Sequence, residues 1–300
     1  MEKREITIEI FTNWDDYQLL DSGEGKRFER FGQYKLVRPD PQCLWKPHLS
    51  EQEWKIADAV FERTTEDKGR WEIRTNVPEK WELRYKDLRF WAKLTPFKHT
   101  GVFPEQAVQW EFMEHEILKR VQDDNKKPKI LNLFAYTGIA SLACAQAGAE
   151  VTHVDASRAA ISWARENQQL CGLNDKPIRW ILDDALKFCE REVKRGVTYN
   201  GIIMDPPVFG HGPDGDIWKF SYHFPKLLSI VKLLLSNNPL FIVVNAYAVS
   251  SSSLMLKNLL DDLKLNGIVE YGELALEETA SKRLLSTGIF ARWSSSQNPY

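Results

Sequence analysis

The chain has 300 residues, 43% hydrophobic, 27% charged and 12% aromatic. That suffices for ordinary cores in about two domains and excludes a disordered tail, a collagen or a disulfide miniprotein. The formal net charge of −2, from 40 Lys and Arg against 42 Asp and Glu, excludes a globally basic surface, so any nucleic acid must be held by a local patch.

Residues 1–96 read as a β-rich domain. Residues 7–11 alternate weakly, Asp-Ser-Gly-Glu-Gly-Lys (21–26) is a turn signal, and 34–42 is a strand stopped by prolines. Within 49–64, Trp54, Ala57, Val60 and Phe61 have helical spacing, with Ser50 as N-cap before Glu53. The clearest hairpin is 81–94. Trp81, Leu83 and Tyr85 take one face and Glu82, Arg84 and Lys86 the other. After a slip at Asp87, Leu88, Phe90, Ala92 and Leu94 continue the apolar face, leaving Arg89, Trp91 and Lys93 outside. Seven of the 11 tryptophans fall in the first 110 residues, which also separates this part from the rest.

From about residue 97 strand and helix alternate, which defines a second domain over 97–300. Strands are predicted at 129–134, 150–155, 178–183, 199–205 and 240–245. Helices follow them at 138–149, 157–172, up to Lys194, around 222–235 and at 254–267. Five parallel strands with helical crossovers make a doubly wound α/β domain, and two last strands, 268–275 and 287–293, close it with an antiparallel hairpin. A dinucleotide dehydrogenase would continue βα to the end. Two uncharged stretches, 130–149 and 233–256, are long enough to span a membrane, but their polar and turn residues make strand–turn–helix the reading. Four isolated cysteines without a Cys-x-x-Cys pair predict neither disulfide frame nor metal site, and with the charged first residues they predict a reduced, cytoplasmic setting.

In such a sheet, ligands sit at the carboxyl ends of the strands. The first strand runs into Ala-Tyr-Thr-Gly, where Gly138 opens a helix and directs backbone amides at a ligand. One glycine is too few for a pyrophosphate loop, and a tight βα turn is the plain alternative. The second strand ends at Asp155, 17 residues beyond Gly138, placed to accept both hydroxyls of a ribose or to cap the next helix. The third ends at Asp183–Asp184, suited to an exocyclic adenine amine or to a solvated turn. Together they describe a nucleoside site without a diphosphate. The fourth ends in Met-Asp-Pro-Pro-Val-Phe-Gly (204–210). There Asp205 and the proline carbonyls, which have no local N–H to pair with, can orient an amine whose ring stacks on Phe209. A proline-stiffened loop is the alternative.

These segments, with Asn-Leu-Phe-Ala-Tyr-Thr-Gly, Val-Asp-Ala-Ser and the closing Thr-Gly-Ile-Phe-Ala-Arg-Trp, resemble a class I S-adenosylmethionine-dependent methyltransferase over about 95–293. More narrowly, the Asp-Pro-Pro-x-Phe motif is similar to that of the large-subunit (23S) ribosomal RNA methyltransferase group. The resemblance implies a Rossmann-like, mostly parallel sheet and catalytic roles for Asp205, Pro206, Pro207 and Phe209. It implies S-adenosyl-L-methionine as cofactor and S-adenosyl-L-homocysteine as product. The implied cofactor contacts are Asn132, Phe134, Ala135, Tyr136, Thr137, Gly138, Asp155, Ala156, Asp183, Asp184, Ala185 and Asp205, with Phe103 and Gln106 of the preceding segment as cover. That segment ends Glu105-Gln106-Ala107 where the group has Asp-Gln-Arg. Cytosine-C5 members carry nucleophilic cysteines after the fifth strand, where this chain reads Asn-Ala-Tyr-Ala-Val-Ser. A C5 reaction needs a thiolate adduct. A base nitrogen, attacking the sulfonium methyl in line, needs none.

In the first domain, 26–46 carries six Lys and Arg against two acids, and 70–98 carries eight against four, each window interleaved with aromatic residues. Backbone neutralisation plus stacking is how looped RNA is held, which makes Arg84, Lys86, Arg89, Trp91 and Lys93 a candidate RNA patch. The alternative is the wet face of a small sheet. His211, Lys219 and Trp218 are candidates for a proton relay and the substrate mouth. The expected activity is methylation of a base nitrogen in RNA. Methylation of a protein or small-molecule amine, or a catalytically silent cofactor- and RNA-binding factor, are the other readings.

Overall fold

The computed structural model describes residues 5–11, 14–64, 69–124, 127–212, 215–247 and 250–295. Residues 248–249 of the Ala-Val-Ser run and the tail beyond 295 lie outside them. The described parts of Ile10–Gln106 and Ala275–Ser286 form one compact unit, and those of Met1–Glu9, Ala107–Leu274 and Thr287–Tyr300 another. This partition differs from a division at 96/97 by placing 97–106 and 275–286 with the β-rich part.

Strand β1 (Thr7–Phe11), expected in the β-rich domain, instead edges the large sheet described below. In the β-rich unit, β2 (Tyr17–Gly23), β3 (Lys26–Phe31), β4 (Tyr34–Pro39), β5 (Ala59–Arg63) and β6 (Gly69–Ile73) form one sheet in that order. Between β4 and β5, α1 (Glu51–Trp54) is a single turn, closed by the expected capping box of Ser50 and Glu53. The helix expected over 49–64 stops there, because the β-branched and aromatic Val60 and Phe61 are used in β5, paired with β4 and β6. The hairpin of β7 (Lys80–Tyr85) and β8 (Leu88–Lys93) follows its alternation. Trp81, Leu83, Tyr85, Leu88, Phe90 and Ala92 are buried, and the alternate residues are exposed or half-buried.

The β-rich core also contains charge. Arg38 makes a two-pronged contact with Glu29 (2.7 and 2.6 Å), and Tyr17 donates to the same carboxylate at 2.8 Å. Burial alone would raise the Glu29 pKa, but the guanidinium groups of Arg27 and Arg38 hold it down at about 2. From the returning segment, Glu278 is fully buried and accepts from Ser22, while Thr279 N donates to Leu19 O at 2.9 Å.

The α/β unit opens with α2 (Ala107–Asp124), a helix the sequence reading missed, which buries Trp110, Met113 and Ile117. Then come β9 (Lys129–Leu133), α3 (Ile139–Gln146), β10 (Glu150–Asp155), α4 (Arg158–Leu170), β11 (Ile178–Leu182), α5 (Ala185–Lys194) and β12 (Gly201–Met204). A small hairpin, β13 (Phe209–His211) and β14 (Ile217–Lys219), precedes α6 (Phe220–Leu234). The rest is β15 (Phe241–Ala246), α7 (Ser253–Asp261), β16 (Ile268–Glu277) and β17 (Leu284–Ser294). The sheet order is β11-β10-β9-β12-β15-β17-β16-β1. The first five strands are parallel and β17 runs antiparallel to β15. Leu131, Leu133, Ile202, Met204, Ile242 and Val244 of the central strands pack on Phe188, Phe224 and Leu227 of the helices. Among the described residues, no helix is long and apolar enough to cross a membrane.

Candidate active site

The chain order reverses between β9 and β12, which opens a crevice at the carboxyl ends of β9, β10 and β12. The loop leaving β9 turns sharply. Phe134 (φ 55°), Tyr136 (φ 49°) and Gly138 (φ 81°) all adopt left-handed backbone. For Phe and Tyr this costs about 1–3 kcal/mol each, so the surroundings must hold them. Asp155 at the end of β10 supplies one hold: its Oδ2 accepts from Tyr136 N at 2.8 Å and its Oδ1 from Ser157 N at 2.7 Å. Gly138 has no substitute, since a Cβ there would lie 2.8 Å from the Cβ of Ala164. Thr137 is buried, and its carbonyl accepts from Asn167 Nδ2 at 2.9 Å.

An ionised carboxylate offers about four acceptor positions, of which these two amides occupy two. Burial raises the Asp155 pKa and the two amides oppose that rise. The outlying lone pairs of a partly buried carboxylate, beside a loop forced to present backbone, fit a vicinal diol and so a nucleoside. Ala135 and Ala156 are half-buried in the same turns. Asp184 is the N-cap of α5, accepting from Lys187 N at 2.9 Å, and Asp183 is ion-paired with Arg191. Ala185 is buried beneath them.

The Asn132 amide is engaged within the fold. It is buried in β9 and donates to Ser141 Oγ at 2.9 Å, which in turn meets His153 Nδ1 at 3.0 Å. Burial pushes the His153 pKa down to about 3, so the ring is neutral. Phe103 and Gln106 lie at the short 3₁₀ turn Pro104–Gln106 of the β-rich unit, where Gln106 N donates to Phe103 O at 3.0 Å.

After β12, Asp205 is half-buried, Pro206 is buried and Pro207 is exposed. The expectation that neither proline carbonyl is engaged is corrected by Trp218, whose indole Nε1 donates to Pro207 O at 2.7 Å. The donor comes from β14, eleven residues on, where no local pattern shows it. The same indole packs on Phe134 (ring centroids 4.8 Å apart) and stacks with His223 (5.5 Å). Trp218 therefore links the loop after β9 to the turn after β12. Phe209 stands 53% exposed just beyond that turn, with its ring edge-on to His211.

These features, a half-buried acid at the end of β10, a strained loop after β9 and a proline-rigid carboxylate turn after β12, meet at one end of the sheet. The family model described as S-adenosylmethionine-dependent methyltransferase matches residues 59–265. This chain belongs to that family. The methyltransferase is 31% identical over 175 residues to the ribosomal RNA large subunit methyltransferase K/L of Pseudoalteromonas translucida, a match covering 57% of this chain and 22% of that one. It is 34% identical over 162 residues to the protein of the same description from Shewanella loihica, covering 49% and 22%. The chain thus spans about a fifth of the length of the curated relatives it matches. A solved SAM-dependent methyltransferase from Agrobacterium tumefaciens superposes with a TM-score of 0.92 at 40% identity, covering 99% of this chain and 98% of that one. A structure complexed with SAH shares the fold, with a TM-score of 0.70 at 17% identity over 93% and 75% of the two chains. The enzyme is a methyltransferase and S-adenosylmethionine is its cofactor.

None of the four cysteines lies in the loops that follow β9, β10 or β12. Cys144 and Cys189 are buried, with burial pushing both thiols far up, and Cys171 ends α4. Cys43, in the β-rich unit, is pushed up to about 11, first by burial. Among the described residues no group of His, Cys, Asp and Glu could hold a metal ion.

Proposed function

We propose that the enzyme methylates a base nitrogen of RNA, of the ribosomal type. The observation that carries this reading is the turn Asp205-Pro206-Pro207 with Phe209 beside it, at the carboxyl end of β12. S-adenosylmethionine supplies an electrophilic methyl group on a sulfonium and leaves as the thioether S-adenosylhomocysteine. Asp155 would take the ribose, residues 134–138 would hold the cofactor through their backbone, and Asp183 and Asp184 would serve its adenine. Asp205 and the Pro206 carbonyl accept the hydrogens of the acceptor amine and aim its lone pair at the methyl carbon. Phe209 stacks on the base. The proton released after transfer passes to water, with His211 within the same hairpin as the nearest relay. Positioning of this kind is worth several orders of magnitude in rate without any covalent step.

RNA is favoured over another amine by the similarity to proteins described as ribosomal RNA methyltransferases and by the outer face of the β7–β8 hairpin. There Lys80 stands opposite Lys93 and Arg84 opposite Arg89, with Trp91 between the two pairs opposite Glu82. Like charges directly across a sheet destabilise it, and a polyanion relieves that cost. Glu82 pairs with Arg89 (2.6 and 2.7 Å), and Lys80 lies over the Trp91 ring at 4.6 Å, so the face is already ordered. In the 26–46 window both acids, Glu29 and Asp40, are buried with Arg27 and Arg38, which leaves Lys26, Arg30, Lys35 and Lys46 as its outward charge. The test is transfer of labelled methyl from S-adenosylmethionine to total RNA and to total protein. Label in RNA, lost in Asp205→Ala while cofactor binding is kept, supports the reading. Label in protein alone refutes it.

A further inference from the structure

The catalytic turn runs directly into the β13–β14 hairpin, where Phe209 is opposite Lys219, Gly210 opposite Trp218 and His211 opposite Ile217. Side chains alternate across a strand, so Gly210 and Trp218 share one face and the other four share the second. The first face is anchored. Trp218 is buried and bonded to Pro207 O, and Phe220 N donates to Val208 O at 2.9 Å. The second face is bare: all four residues are exposed, Phe209 by 53% and Ile217 by 52%. Such exposure of two large apolar side chains contributes nothing to folding. Among the described residues no carboxylate pairs with the Lys219 ammonium, whereas Asp216 of the same hairpin is paired with Lys187.

We infer that this face binds the nucleotide adjoining the methylated one in single-stranded RNA, an inference that rests on the RNA reading above. The rank nearest the catalytic turn is Phe209 with Lys219, and the next is His211 with Ile217. Phe209 serves the target base, Lys219 the phosphate that follows it, and His211 with Ile217 the neighbouring base. Two residues of strand separate the ranks by about 6.8 Å. Stacked bases rise only about 3.4 Å, so two successive bases reach both ranks only when pulled apart, as in a loop and not in a duplex. A protein partner would need some 20–30 residues a side for a stable interface, far more than these four side chains offer. A single nucleotide with one phosphate matches their area and charge.

The test uses the full chain with S-adenosylhomocysteine and a fluorescein-labelled, unstructured RNA of 12 nucleotides, followed by anisotropy at several salt concentrations. Ile217→Ser should weaken binding about tenfold and leave the salt slope unchanged. Lys219→Ala should lower the slope of log Kd against log salt by about 0.7, the share of one phosphate on a single strand. The same sequence as a duplex should bind more weakly than the single strand. Calorimetry with S-adenosylhomocysteine should give parent-like affinity for both variants, which shows that they fold. Both variants binding within twofold of the parent with its salt slope, while the parent still methylates total RNA, would overturn the assignment of this face and leave the RNA reading standing. A parent that neither binds nor methylates RNA would overturn both.

Discussion

Replacing Trp218 by Phe separates packing from positioning. Phenylalanine keeps a ring against Phe134 but removes the 2.7 Å bond from the indole to Pro207 O. A net bond of this kind contributes about 0.5–1.5 kcal/mol, and the smaller ring leaves a gap costing a comparable amount. Because Pro207 is exposed, water can satisfy its freed carbonyl, so the total stays near ~1–3 kcal/mol, a fall of several degrees in Tm. The chemical effect should be far larger. Without the indole bond, the Pro207 carbonyl loses its tie to β14, and a misplacement of the turn by about 1 Å can cost 10²-fold in rate. The expected outcome is a fall of about 10²-fold in kcat for labelled methyl transfer to total RNA, with cofactor affinity within about threefold of the parent by calorimetry. If kcat falls by less than threefold while Tm drops as calculated, Trp218 is a packing residue only.

Three further outcomes follow from described contacts. Gly138→Ala must adopt φ 81° and place its Cβ 2.8 Å from that of Ala164, for a loss of about 2–5 kcal/mol in urea unfolding. Adding Ala164→Gly should recover only the steric share; no recovery at all would show that the contact is not the cause. The His153 pKa, held near 3 by burial, lies below its unfolded value of 6.5, so its stabilising share is complete above pH 6.5 and declines as pH falls towards 3. Between pH 6.5 and 5 it should account for about 2 kcal/mol, seen as a shallower acid limb in urea unfolding of His153→Gln; identical limbs would refute the assignment. Iodoacetamide at pH 8 should label Cys171 first and leave Cys43, Cys144 and Cys189 unmodified in the native protein, checked by peptide mass mapping.

The alternation of strand and helix from 129 onward was legible because the central strands are short, largely apolar runs and α4, α5 and α7 carry side-chain caps in Ser157, Asp184 and Ser252. The hairpin at 80–93 was legible because one face is wholly buried, which makes its period of two strict. The 49–64 segment was misread for the opposite reason: Trp54, Ala57, Val60 and Phe61 have helical spacing, yet tertiary pairing with β4 and β6 claimed the last two. The places of Asp155, at the end of β10, and of Asp205, just after β12, were legible because each closes a predicted strand in the half of the sheet where ligands bind. The indole of Trp218 on Pro207 O and the Asn132–Ser141–His153 chain were not. Both join residues of separate elements, and nothing in their neighbours along the chain marks the pairing. Asp184 shows a subtler limit, because an acid at a strand end is also an acid at a helix start, and here the amide of Lys187 uses it.

The crossings of the chain at 9/10, 106/107, 274/275 and 286/287 have a consequence for synthesis. Domains generally fold as units while the ribosome delivers them from the amino end. Here the β-rich unit, although its first strands emerge early, must wait for residues 275–286, which bring the buried Glu278 to Ser22 and lay Thr279 against Leu19. Strand β1 likewise waits for its sheet partner β16, made more than 250 residues later. Neither unit can therefore close on a nascent chain stalled before residue 275. A ribosome-bound fragment ending there should keep its early strands open to proteases that the finished protein resists.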